Sequence, residues 1–144
     1  MTSENTVSKE DWFRSLQADG CRITAPRRAV VETLVESEYV LNPLEIFAQA
    51  RIRYPKLGLV TVYRTLDTLE NLGLVERVHH PEGCQAYIAA QRGHHHLLIC
   101  EQCGRAAYFS GDRLGGLVLD VEGETGYQIR DHWLQLFGTC EACH

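Results

Sequence analysis

No apolar stretch in these 144 residues is long enough to cross a bilayer, because charged or polar side chains interrupt every hydrophobic run. The first ten residues carry Glu4 and Glu10 and lack a basic region leading into a long apolar run, so no secretory signal is expected. No internal repeat or low-complexity tract is visible. Neither HExxH nor an HxE paired with PCxxC occurs, which removes the usual ligand-plus-carboxylate patterns of a zinc hydrolase or a nucleobase deaminase. These absences predict a cytoplasmic, non-membrane protein that is not an enzyme and has no small organic substrate. What is present is the balance of a globular chain, 44% hydrophobic and 23% charged, with room for one or two small domains.

The formal charge of -5 is unfavourable for a nucleic-acid binder, but its distribution matters more. Residues 1–80 hold ten of the fourteen Lys and Arg and total -1, whereas residues 81–144 total -4. The first half also has its own grammar. Ser8 and Asp11 have the form of a capping box before Trp12, Phe13 and Leu16, predicting a helix from Lys9 to about Asp19. Thr24 caps a second helix with Pro26 in its first turn and Val30, Val31, Leu34 and Val35 on one face. Asn42, Pro43 and Glu45 start a third, which runs to about Arg53. Beyond Pro55 and Gly58, a fourth carries Val62, Leu66, Leu69 and Leu72 on its apolar face and Tyr63, Arg64 and Asp67 on the other. Leu74–Val78 and Gln85–Ile88 flank a Pro- and Gly-containing turn and predict a β-hairpin. Short helices ending in a capped helix and a hairpin spell a winged helix-turn-helix, whose last helix enters the major groove.

The second half reads differently, as a small α+β unit beginning near residue 91. Strands are expected at His94–Cys100, Arg105–Phe109 and Tyr127–Phe137. Between the last two, Leu114, Leu117, Val118 and Val121 predict a helix weakened by Gly115 and Gly116. The expected division is therefore residues 1–90 and 91–144.

Four of the six cysteines form two CxxC pairs, Cys100/Cys103 and Cys140/Cys143. Four soft thiolates are the ligand set of a closed tetrahedral Zn2+ site, which would pin the C-terminal pair to the strand region at residue 100. A redox-active CxxC is the alternative, but it belongs once, in a βαβ pattern absent here. A four-thiolate site has no open position, so this zinc is structural and neither catalytic nor regulatory. His94, His95 and His96 abut the first pair; on a strand, His94 and His96 share a face that His132 could join. Imidazole suits several divalent metals, and Asp112, Asp120 or Glu122 could supply a carboxylate. Solvated strand histidines are the plainer alternative. For His79, His80 and Cys84, an exposed wing turn is as good a reading as ligation, and Cys21 carries no assignment.

Thr61-Val62-Tyr63-Arg64-Thr65-Leu66, the run from His94 to Gly104, and Cys140-Glu141-Ala142-Cys143 together resemble the ferric uptake regulator family, from Gly20 onward. The resemblance implies an N-terminal winged helix, a C-terminal α+β dimerisation domain, and repression from a double-stranded DNA operator when a cognate metal, Zn2+ or Fe2+, is bound. It implies that the helix bearing Thr61, Tyr63 and Arg64 lies in the major groove and that Arg22 approaches the minor groove. The physics agrees: Arg64 can contact a phosphate or guanine edge and Tyr63 a thymine methyl. Partial core packing is the alternative for Tyr63, though Leu66 and Leu69 already supply the buried face. Arg27 and Arg28 are candidate phosphate contacts or simply solvated. Reading two half-sites with one short chain requires a C2 homodimer.

Two sensor sites follow from the resemblance. One, on the hinge side, falls here on Val40, Ile88 and Leu97, leaving only His95. The other matches at His94, His96 and His132, with its acidic position at Gly115. The tandem histidines are similar to those of zinc-sensing members. A zinc-ordered protein-interaction module is the rival, which explains the CxxC pairs but not the capped helices with Tyr63 and Arg64.

Overall fold

Three side-chain caps set the start of the first three helices in the computed structural model, which describes residues 7–79, 83, 85–111 and 113–144. The Ser8 hydroxyl accepts from the Asp11 amide at 3.2 Å while the Asp11 carboxylate accepts from the Ser8 amide at 3.2 Å, opening α1 (Lys9–Ala18). Thr24 accepts from the Arg27 amide to open α2 (Ala25–Glu36). Asn42 and Glu45 make the reciprocal pair, at 2.9 and 2.8 Å, that opens α3 (Pro43–Arg53). Such caps satisfy amides that would otherwise lack partners at a helix start.

α4 (Leu59–Asn71) has no side-chain cap and is held by burial instead. Val62, Leu66 and Leu69 are fully enclosed with Trp12, Leu16, Val30, Val31, Leu34 and Ile46 in the larger of two cores. Each such side chain contributes roughly 1.5–3 kcal/mol on leaving water, which outweighs a missing cap at about 1 kcal/mol. The helix therefore turns Tyr63, Arg64 and Asp67 outward.

β1 (Val75–His79) and β2 (Gln85–Ala89) follow as an antiparallel hairpin, paired from Val75↔Ala89 to His79↔Gln85. Arg77 of β1 binds Glu70 of α4 at 2.6 Å, which ties the hairpin to the helix beside it. Four helices with this hairpin make the expected winged helix-turn-helix. The tip residues His80, Pro81, Glu82 and Cys84 lie outside the described residues, so the metal readings for His80 and Cys84 are not addressed.

A second sheet is built around β3 (His96–Cys100), with β4 (Ala106–Phe109) antiparallel on one side and β5 (Gln135–Gly138) parallel on the other. α5 (Leu114–Thr125) lies between β4 and β5 in the chain. The α+β expectation holds, but its strand limits need correction. The strand expected from His94 begins only at His96, because Gly93 adopts a left-handed φ of 86° and the chain is still turning at His94. The strand expected over Tyr127–Phe137 is confined to Gln135–Gly138; residues 126–134, His132 included, have no regular structure. Arg105 forms an isolated bridge with Tyr39 rather than the first rung of β4.

The smaller core crosses from hairpin to sheet: Val78, Ala86 and Ile88 pack with Leu97 and Ile99, flanked by Val40, Ala106, Tyr108 and Phe137. Hydrogen bonds reinforce the junction. The Tyr108 hydroxyl donates to the Ala89 carbonyl at 2.7 Å, the Gln135 side-chain Nε2 to the Arg77 carbonyl at 3.0 Å, and the Val40 backbone amide to the Gly104 carbonyl at 2.8 Å.

Candidate metal centres and nucleic-acid surface

The two CxxC pairs meet where β3 and β5 end. Their register runs to Cys100↔Gly138, and the Glu101 amide donates to the Gly138 carbonyl at 2.8 Å, so the strand ends deliver Cys100, Cys103, Cys140 and Cys143 to one spot. The four sulfurs lie within 4.8 Å of one another. Cys103 Sγ and Cys140 Sγ are 3.7 Å apart, close to the edge of about 3.8 Å of a tetrahedron with Zn–S bonds of about 2.3 Å. The environment also prepares the charge state. Backbone amides of Cys103 and Cys140 donate to Cys100 Sγ, the latter at 3.3 Å, and bring its thiol down to about 6. Hydrogen bonding to Cys140 and Cys103 pushes the Cys143 thiol up to about 12. Crowded sulfurs resist sharing further negative charge, and a dication at their centre would remove that resistance.

The second cluster gathers His94, His96 and His132, whose ligand nitrogens also lie within 4.8 Å. His94 Nε2 and His132 Nε2 are 2.9 Å apart. His96 is 2% exposed, and its Nε2 is buried without a hydrogen-bond partner. Burial, followed by the neighbouring His94 and His132, lowers the His96 pKa and keeps the ring neutral, the form that ligates metal. Three imidazoles with their ligand nitrogens this close, one of them carrying an orphaned buried nitrogen, fit a divalent ion. Among the described residues no carboxylate joins this trio. Glu122, one candidate, accepts from the Ile129 amide at 2.7 Å, while Asp112 lies outside the described residues. Three protein ligands leave a position open, whereas four sulfurs close theirs.

His95 stands apart, half-buried with its ring 6.3 Å from that of Tyr108. The hinge-side positions Val40, Ile88 and Leu97 belong to the smaller core. Apolar side chains packed together there offer no donor atom. His79 lies against Trp133 with ring centroids 5.0 Å apart.

On the other unit, α4 presents Tyr63, 46% exposed, beside exposed Arg64, with the wing attached alongside. Thr61 is half-buried and its carbonyl accepts from the Thr65 hydroxyl at 2.7 Å. Arg22 is exposed. Arg27, a candidate phosphate contact, is half-buried, and its guanidinium donates to the Arg22 carbonyl at the turn before α2. Arg28 lies over the Phe13 ring at 4.5 Å.

A winged helix that offers a polar helix face, joined to a sheet whose thiol and imidazole clusters suit metal ions, defines a metal-responsive transcription regulator, not an enzyme. The chain belongs to the ferric uptake regulator family, whose model matches residues 18–137. It is 30% identical over 135 residues to the ferric uptake regulation protein of Bacillus subtilis, covering 91% of each chain. The Helicobacter pylori ferric uptake regulator, described as having three functional metal-binding sites, superposes with a TM-score of 0.75 at 23% identity, over 98% of this chain and 97% of that one. The Vibrio cholerae ferric uptake regulator does so with a TM-score of 0.69 at 28% identity, over 90% of this chain and all of the other.

Proposed function

We propose that this regulator is a metal-dependent repressor that binds a palindromic double-stranded DNA operator as a homodimer in the cytoplasm. Residues 1–90 form the reading unit and residues 91–144 the metal-binding, dimerising unit. Cys100, Cys103, Cys140 and Cys143 hold a structural Zn2+. His94, His96 and His132 hold the regulatory divalent ion, Zn2+ ahead of Fe2+, because an all-imidazole set suits zinc and lacks the hard oxygen donors that favour other ions. The observation that carries the reading is the cluster of His94, His96 and His132, whose ligand nitrogens lie within 4.8 Å of one another although His94 and His132 are 38 residues apart along the chain, with the buried His96 Nε2 left without a hydrogen-bond partner. Hinge-side sensing finds no support, since Val40, Ile88 and Leu97 lack ligand atoms.

When bound, the ion supplies a crosslink between the start of β3 and the irregular segment 126–134. That segment carries Tyr127 and Trp133, which with Leu117 and Leu119 of α5 are exposed. A second copy covering these apolar side chains would set the spacing of two winged helices, with Thr61, Tyr63 and Arg64 of each in a major groove and Arg22 near the minor groove. Arg27 acts through the turn it holds. Coupling requires only that the ion bind the DNA-competent dimer more tightly than the alternatives.

Fluorescence anisotropy on duplexes selected from a random pool tests this. Zn2+ should tighten binding by about 5–150-fold, the usual range for coupled sites. His132→Ala should remove most of that gain while retaining one tightly held zinc per chain. Equal affinity with and without metal would reject the sensing role and leave DNA binding standing.

A further inference from the structure

Gly111 lies in the turn between β4 and α5, where its carbonyl accepts from the Leu114 amide at 3.0 Å. Its φ is not in the left-handed region, so the backbone imposes no need for glycine. The space around it does. A Cβ at this position would fall 2.4 Å from Cδ2 and 2.7 Å from Nε2 of His96, and 3.2 Å from Leu114 Cδ1. The first two distances are far inside van der Waals contact, and they involve the edge of the ring that carries the orphaned nitrogen.

His96 is confined elsewhere as well. It pairs across the sheet with Phe109, whose ring centroid lies 5.5 Å from its own, and the His94 and His132 rings lie 4.8 and 5.1 Å away. The bare Cα of residue 111 therefore forms one wall of the space the imidazole occupies.

We propose that Gly111 is the positioning residue of the three-histidine site: the missing side chain is the room that lets the His96 ring sit beside His94 and His132. The inference rests on the reading of these histidines as a metal site and adds the group that sets their geometry. An added methyl meets a side chain, not backbone, so the expected response is displacement of the imidazole rather than of the chain. The ligand is what is lost. Groups that orient metal ligands without touching the ion typically change affinity by about 10–100-fold, and Gly111→Ala is expected in that range for Zn2+ at the exchangeable site.

The experiment compares wild type, His132→Ala and Gly111→Ala by Zn2+ competition with a chromophoric chelator, together with the visible spectrum of Co2+ bound at the same site. Wild type should hold one exchangeable ion beside one tight zinc. If it holds only the tight zinc, the three-histidine site itself is rejected. If wild type binds and His132→Ala does not, the site stands, and Gly111→Ala decides the new point. Weakened Zn2+, an altered Co2+ spectrum and an unchanged tight zinc support it; wild-type affinity and spectrum overturn it. Should Gly111→Ala instead destabilise the protein, combining it with His96→Ala restores stability if the clash is with the imidazole. Failure to restore it overturns the proposal.

Discussion

Cys103→Ser is expected to release the tightly held zinc, reducing it from about one ion per chain to near zero, and to melt the second unit. Structural zinc contributes an apparent ~10–16 kcal/mol in small domains, as much as the whole stability of a typical fold. The second unit has little to set against that loss. α5 buries no residue, and in the three-stranded sheet only His96, Leu97, Ile99 and Cys100 are buried. β5 joins β3 through a four-residue parallel register that ends beside the cysteines, so releasing Cys140 and Cys143 frees the adjoining strand. The helical core around Trp12, Val31 and Leu66 is a separate cluster and should persist. Circular dichroism should therefore show helix retained while protection of the β3 amides from hydrogen exchange disappears. A variant that keeps both its zinc and its melting temperature would refute the four-thiolate staple.

Arg64→Ala carries the second large effect, on DNA rather than on folding. Its side chain is exposed on α4, so stability should change by no more than about 0.5 kcal/mol. A guanidinium reading a guanine edge is worth about 1–3 kcal/mol of discrimination, or about 5–150-fold in affinity for the preferred duplex. The salt dependence separates the two roles available to Arg64. Loss confined to one sequence marks a base contact, while uniform weakening with the log–log salt slope reduced by about one marks a phosphate contact. Tyr63→Ala should weaken the same sequences by a smaller factor. Unchanged affinity in both variants would remove α4 from the interface.

The helical half of the fold was readable because its signals are local. Ser8 with Asp11, Asn42 with Glu45, and Thr24 with Pro26 specify helix starts within four residues of chain, and the 3.6-residue recurrence of Val62, Leu66 and Leu69 specifies which face is covered. The second half depends on relations that local pattern does not encode. Tyr127 to Phe137 is rich enough in apolar residues to suggest one long strand, yet Tyr127 and Trp133 are exposed and only Gln135–Gly138 pairs. The CxxC spacing pointed to the thiol cluster, and the three tandem histidines pointed to two members of the imidazole cluster. The contribution of His132 rests on a loop, not on the strand expected for it. Gly111 gave no signal at all, since a glycine needed for space looks like any other in a turn.

The exposed apolar side chains of α5 have a consequence for how the protein behaves on dilution. Leu117 and Leu119 stay 58% and 68% exposed within one chain, and the proposed homodimer would be what covers them. If folding of the second unit is completed by that contact, its melting point is set by mass action as well as by sequence. Each tenfold dilution then removes about 1.4 kcal/mol per mole of dimer, and the transition should move to lower temperature as the protein is diluted. A melting point independent of concentration would mean that the chain bears these exposed side chains without help. A scarce regulator would otherwise owe part of its order to its own abundance.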